Sequence, residues 1–548
     1  MRGRILPMAW AGAGVDQPVR ASSRKDPIVI PSRSKLLLAG CLGLAAVACA
    51  PLAAQVCTSA PIDWMDRGEV LLAEEDPVEA LAAFRAGLSL VEAGELRRGQ
   101  TGLGRCHLLL GQPEPALEQA QAVTAVDPAH DRAWALEVRA LMRARRFREG
   151  LRRSREGVET VGQSGVHVLA SHASALFRTQ NNVRAEARYR DVLLLDSLFA
   201  EAHLRLGSGL TSPCEVVVGE RFDRGVELAR AGRYDEAVVE FRALLDRDPA
   251  NPIAHRLLGE SLYNRIAVAS MATNSKEFRW LSDSLPEPDL EGLPVDVFMP
   301  SRAALDPARR RVVDRALALF SSRLARIVAM GGRHDLIVET ERTTDDSSRA
   351  TLRGRRTFDG RVWDDVRGIG GLRAATGIES LDEARFFGFD TLAHEIAHQA
   401  HLYGFPHKLR VRITALYKVA IRAGRCLDFY AASNDTEYFG QGVEAFASLG
   451  KRPGYEVTHG HTRFELMRVD PDLHELIRGL VDYDPLDPEQ VGESARTETL
   501  RAAVAVALRC GRYDDAVTAA RMLRIGPMRT GLEQLALDAQ KRARSEGI

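Results

Sequence analysis

No charge of one sign dominates this chain. Lys+Arg and Asp+Glu both number 74 in 548 residues, so the net charge is zero. That balance argues against broad nucleic-acid binding, which needs a basic field. Aromatic residues are scarce at 6%, while Ala and Leu are abundant, and this favours helices. Cysteine is limited to seven residues, Cys41, Cys49, Cys57, Cys106, Cys214, Cys426 and Cys510. None forms a C-x-x-C pair, and their spacing looks like neither a thiolate zinc site nor a disulfide framework, so any disulfide would be occasional. The apolar run Leu36–Ala48 is too short for a convincing transmembrane span. What remains is 45% hydrophobic and 27% charged, a globular composition with length for about three or four domains.

Residues 1–54 read as a polar leader and signal peptide. Arg33-Ser-Lys35 supplies a positive start, Leu36–Ala48 the apolar core, and Ala48, Ala50, Ala53 and Ala54 small residues for cleavage. The run starts late, which points to an initiator downstream of Met1. Cys49 after Ala46-Val-Ala48, and Cys41 after Leu38-Ala-Gly40, resemble bacterial lipoprotein boxes. The expectation is export: a periplasmic, secreted or envelope-anchored protein, attached to the membrane only through a lipid on Cys49.

From 64 to 265 the chain repeats itself. Ala80, Ala116, Gly150 and Ala185 recur at steps of 36, 34 and 35 residues, each in a similar context. Asp127, Asp196 and Asp248 each follow such a small residue (Ala116, Ala185, Ala237) by 11. Pro128 and Pro249 come directly after two of them. This pattern resembles the tetratricopeptide repeat, in which helix pairs bury their apolar faces only by stacking. The resemblance implies a helical solenoid that binds a peptide or protein partner. An ordinary helical bundle is the alternative.

Residues 283–302 are rich in Pro and acidic residues and read as a linker into a domain at 303–480. There the pattern predicts an amphipathic helix from Asp306 to Met330 and a strand at His334–Thr340. It also predicts a hairpin at Arg356–Trp363 turning at Asp359-Gly360. Val366-Arg-Gly-Ile-Gly370-Gly371 follows, where glycines mark close approach of another backbone, with Gly370 a candidate cleft position. A further helix is expected at about 406–425. At 495–548, Gly511-Arg-Tyr-Asp-Asp-Ala516 nearly copies Gly232-Arg-Tyr-Asp-Glu-Ala237, so one more repeat-like helical pair closes the chain.

The chemistry concentrates at Thr391–His398, which reads His394-Glu395-x-x-His398. On a helix, positions i and i+4 lie on one face, so both imidazoles can reach one metal ion. Glu395, beside the first ligand, is placed to act as general base on a water. Asp390 can cap this helix, and Gly404 with Pro406 can end it. Two carboxylates, Glu437 and Glu444, lie seven residues apart and can both face it from one side of their own helix. Glu437 also stands where a capping box begun by Asn434 would place it. His401 reads as a surface residue or a neighbour of the ligands. His459 and His461 form a small cluster near the domain end.

The segment Phe429–Phe446 resembles the zinc peptidases of the anthrax lethal factor type, within the gluzincins. There a Glu-Tyr/Phe-Phe-x-x-x-x-x-Ala-Phe segment follows the zinc helix. The resemblance implies that Glu437 is the third ligand of a Zn2+ ion and that Tyr430, seven residues earlier, faces the substrate oxyanion. It also implies that Val366–Gly371 is an edge that pairs with an extended substrate. Glu444, deeper in its own helix, is placed to hydrogen-bond His394 or His398 from behind. Gln441 departs from the family, which often has a second Glu there, and bears on activity more than on metal binding. The expected fold is mainly α: a helical solenoid, then an α+β gluzincin-like domain, then a short helical repeat. The expected activity is zinc-dependent peptide hydrolysis. The alternative is an inactive cell-envelope scaffold that binds partners through its repeats.

Overall fold

The computed structural model describes residues 63–90, 93–210, 219–274, 276–357, 360–453 and 460–545. The signal run, Cys49, Asp359 and His459 lie outside the described residues.

The chain is mainly helical. One turn geometry recurs wherever a repeat hairpin reverses. Glu75, Gly111, Arg145, Gln180, Gly232 and Gly511 all hold positive φ, between 54° and 75°. The amide after each returns to a carbonyl five residues back, as in Asp76 to Leu71, Gln112 to His107 and Arg512 to Ala507. This is the Schellman closure, which satisfies the last carbonyls of the first helix. Five residues beyond each such turn stand Ala80, Ala116, Gly150, Ala185, Ala237 and Ala516, all buried. At Gly150 a Cβ would come within 2.7 Å of Met142 Cε on the first helix of its pair, so the sequence period is a packing period. The C-terminal pair Glu493–Arg509 and Tyr513–Arg521 obeys the same rule and is followed by a third helix, Pro527–Ser545.

The remaining residues build a helical body around a small sheet, rather than the fuller α+β domain expected. β1 (Arg333–Ile337) pairs in parallel with β3 (Arg373–Gly377), and β2 (Gly368–Ile369) pairs with β3 antiparallel. The order β1-β3-β2 leaves β2 at an edge. The helix expected across Asp306–Met330 is two helices, Pro307–Ala318 and Ser321–Ala329. Phe320 breaks it (φ −136°) to bury its ring against Phe405, 5.6 Å away. Of the Arg356–Trp363 hairpin, the described residues show an isolated antiparallel bridge between Arg356 and Val362.

The stretch 283–302 is no free connector. Its second half puts Val295, Phe298 and Met299 into the main core with Phe320, Leu392, Phe439 and Phe446. Just before it, Phe278 and Leu281 pack with Leu500, Val504 and Leu449, so the C-terminal repeat leans on the sheet-bearing body. The array itself is clamped there. The backbone carbonyl of Gly209 (φ 88°) accepts from the Val362 amide at 2.8 Å, an approach that a Cβ would obstruct. Arg256, buried at the end of the array, donates to the Glu339 carbonyl (2.6 Å) and pairs with Glu260 and Glu379.

Candidate metal centre

The helix Thr391–Gln399 is buried along its whole length. Asp390 caps it by accepting from the Ala393 amide at 2.9 Å. Its far end is pinned to the sheet. Gln399 Oε1 accepts from His334 Nδ1 at 2.8 Å, and its amide nitrogen donates to the Arg333 and Leu372 carbonyls. His334 reaches Thr376 on β3 through Nε2. A single π-turn, Ala400–Gly404, ends the segment before Pro406.

The second helix, Asp435–Ala447, is capped by Asn434, whose side chain accepts from the Thr436 and Glu437 amides at 3.0 Å. Glu437 does not complete a capping box. Its carboxylate turns inward, with Oε2 3.1 Å from His394 Nε2 and 3.4 Å from His398 Nε2. His394, His398 and Glu437 are all buried, and one ligand atom of each lies within 4.8 Å of the others. Ligands about 2.0–2.1 Å from a tetrahedral ion stand roughly 3.3 Å apart, so the observed separations suit zinc.

The three buried groups are electrostatically coupled. Burial pushes His394 down to about 4, with the charge of His398 adding to it, so its imidazole is neutral and can donate a lone pair. Burial would raise Glu437, but His398 and the hydrogen bond from His394 outweigh it and hold the carboxyl down at about 2. Burial also opposes the charged form of His398, yet Glu437 raises it. Glu395 is buried with neither carboxylate oxygen hydrogen-bonded among the described residues. Burial lifts it to about 7. A Cβ on Gly370 would stand 3.5 Å from Glu395 Oε2, so the glycine stretch after β2 borders Glu395.

Several expected placements change. Glu444 supports neither histidine. Its Oε1 accepts from the Asp390 amide at 3.0 Å and from Ser448, and pairs with the buried Lys451. Geometry explains this: seven residues beyond Glu437 is two turns along the helix, at the level of the start of the first helix. His401 is not at the surface but buried near Phe439, ring centroids 5.3 Å apart. His461 joins Asp428 and Glu465 (3.2 Å each), away from the triad. Gln441 is fully buried one turn after Glu437. Tyr430 is half-buried in the turn leading to Asn434, where its carbonyl accepts from the Ser433 amide.

Gly440 escaped the sequence reading. A Cβ there would come within 2.7 Å of His398 Cε1 and 2.8 Å of His394 Cε1. Glycine inside a helix costs roughly 0.5–1 kcal/mol relative to Ala, which was the available signal. Gly440→Ala should therefore keep its helix but displace the imidazoles. Zinc affinity, measured by chelator competition, should fall roughly tenfold or more, as when a ligand's support is lost. Unchanged affinity would mean that the rings have room to move.

The tetratricopeptide repeat family profile matches residues 222–269, and the chain carries tetratricopeptide repeats. No curated protein matches the chain. Among solved structures, it is similar to TTC0263, a tetratricopeptide repeat protein of Thermus thermophilus. Identity is 18%, over 36% of this chain and 97% of that one, with a TM-score of 0.26. Similarity to pilF of Pseudomonas aeruginosa covers 39% and 91% at 14% identity, with a TM-score of 0.25. For yeast Tom70 the figures are 88% and 96% at 11% identity, with a TM-score of 0.21. All three superpose poorly, so the repeat assignment rests on the profile match and the recurring turn geometry.

Proposed function

We propose that this chain is a repeat-bearing interaction protein whose helical body also holds a zinc ion and hydrolyses peptide bonds. The matched repeat supports the first half alone, and it favours the reading as a partner-binding scaffold. The hydrolytic half rests on one observation: two imidazoles and a carboxylate, from two buried helices, converge, and Glu395 beside them has no hydrogen-bond partner among the described residues.

His394, His398 and Glu437 would hold the ion. When bound, it supplies Lewis-acid activation of a water and of the scissile carbonyl. Glu395 takes the proton from that water and returns it to the leaving amine, a role suited to a carboxyl lifted to about 7. The β2 edge and Gly370 offer backbone groups along which an extended peptide can lie beside Glu395. Tyr430 is the proposed donor to the oxyanion. The repeats bring the partner or substrate to this body.

A peptide-library digest by the full chain tests the reading. Cleavage should occur, stop with a zinc chelator and return with added zinc. In the same assay Tyr430→Phe should lower turnover more than affinity, because its bond forms mainly in the transition state. A zinc-loaded chain that cleaves nothing leaves the scaffold reading standing.

A further inference from the structure

Directly after the metal-site helix and its π-turn, the helix His407–Ala423 runs HKLRVRITALYKVAIRA without one acidic residue. Only Ile413 and Ala420, seven apart, are buried, so one face is seated. Thr414 and Tyr417 tie the seated side to Asp435 and to the Ala432 carbonyl. The opposite face carries Lys408, Val411, Arg412, Ala415, Lys418, Val419 and Arg422, all exposed. Those positions recur at three- and four-residue steps, one continuous stripe. Val411 is 53% exposed and Val419 40%.

Some exposed arginines elsewhere in the protein have carboxylate partners: Arg146 with Glu149, Arg233 with Glu236, Arg152 with Glu156, Arg265 with Asp235. Lys408, Arg412, Lys418 and Arg422 make no ion pair among the described residues. A chain of zero net charge has concentrated uncompensated cations on one helix face, interleaved with exposed aliphatics.

We infer that this helix is a docking surface for an anionic lipid bilayer, on which it lies parallel to the membrane plane. Cations drawn to acidic headgroups, with valines entering the boundary between headgroups and acyl chains, are what such a surface requires. An acidic protein segment would match the charge but not use the exposed aliphatics. The contact is separate from any lipid at Cys49, and it would hold the metal-site helices against the membrane. It stands whether or not the metal site is hydrolytic.

The test is sedimentation of the full chain with lipid vesicles. Binding is expected to vesicles of equal parts phosphatidylglycerol and phosphatidylcholine, and not to phosphatidylcholine alone. It should be lost at about 1 M salt, where the screening length falls to about 3 Å. The Lys408→Gln, Arg412→Gln, Lys418→Gln, Arg422→Gln variant should bind weaker by about fivefold per cation removed. These side chains are exposed, so folding should survive, and the circular dichroism spectrum checks it. A control removing Arg146, Arg152, Arg233 and Arg265 should bind as the parent does. Equal loss in the control would show that net charge, not this helix, was responsible. Absence of binding to the anionic vesicles, or binding to soluble polyglutamate alone, would overturn the inference.

Discussion

Glu437→Ala is expected to purify without stoichiometric zinc, while Glu444→Ala keeps its zinc and loses stability. The two residues look interchangeable by spacing, and the structure separates them. Glu437 is buried with its Oε2 3.1 Å and 3.4 Å from the two histidines, so removing it leaves two imidazoles and no carboxylate. Two ligands do not make a structural or catalytic zinc site, and the loss should exceed the 10–100-fold typical of an outer partner. Glu444 instead joins the Asp390 amide to Lys451, and both members of that ion pair are buried. Removing one partner of a buried pair strands the other charge, typically at a cost of about 3–5 kcal/mol. Metal analysis and thermal unfolding of both variants decide the matter. Full zinc in Glu437→Ala, with none in Glu444→Ala, would reverse the assignment.

Glu395→Ala should retain zinc and lose hydrolysis by about a hundred- to ten-thousandfold, the usual contribution of a positioned general base. Glu395 directly follows His394, and its carboxylate has no hydrogen-bond partner among the described residues. A structural glutamate buried this deeply would be expected to engage an amide or a cation, as Glu444 does. An active, zinc-loaded Glu395→Ala protein, free of contaminating protease, would remove this residue from the mechanism. If the parent is inactive as well, the variant should instead be no less stable, because a bare buried carboxyl contributes little to the fold.

Local sequence carried the repeats because their determinants are local. A turn residue at positive φ and a small residue five positions on suffice to close a helix pair, and both recur in register. The same reasoning placed His394 and His398 on one helix face and put Asp390 and Asn434 at the caps, where hydrogen bonds span two or three residues. The edge position of Gly368–Ile369 was suggested by the family resemblance and not by its glycines.

Contacts between distant segments were decided by the tertiary structure alone. Which of two glutamates faces the histidines depends on the level at which two helices cross, and spacing within one helix leaves that open. The proximity of Gly440 to both imidazoles arises at that same crossing. The helix break at Phe320 comes from a ring drawn into a core supplied by Phe405 and Phe439. Pro- and acid-rich composition suggested a free linker at 283–302, yet Val295, Phe298 and Met299 find a core to enter. Periodicity and capping act within a turn or two of the chain, so they determined the elements. Burial and charge pairing act between elements, and they alone chose the partners.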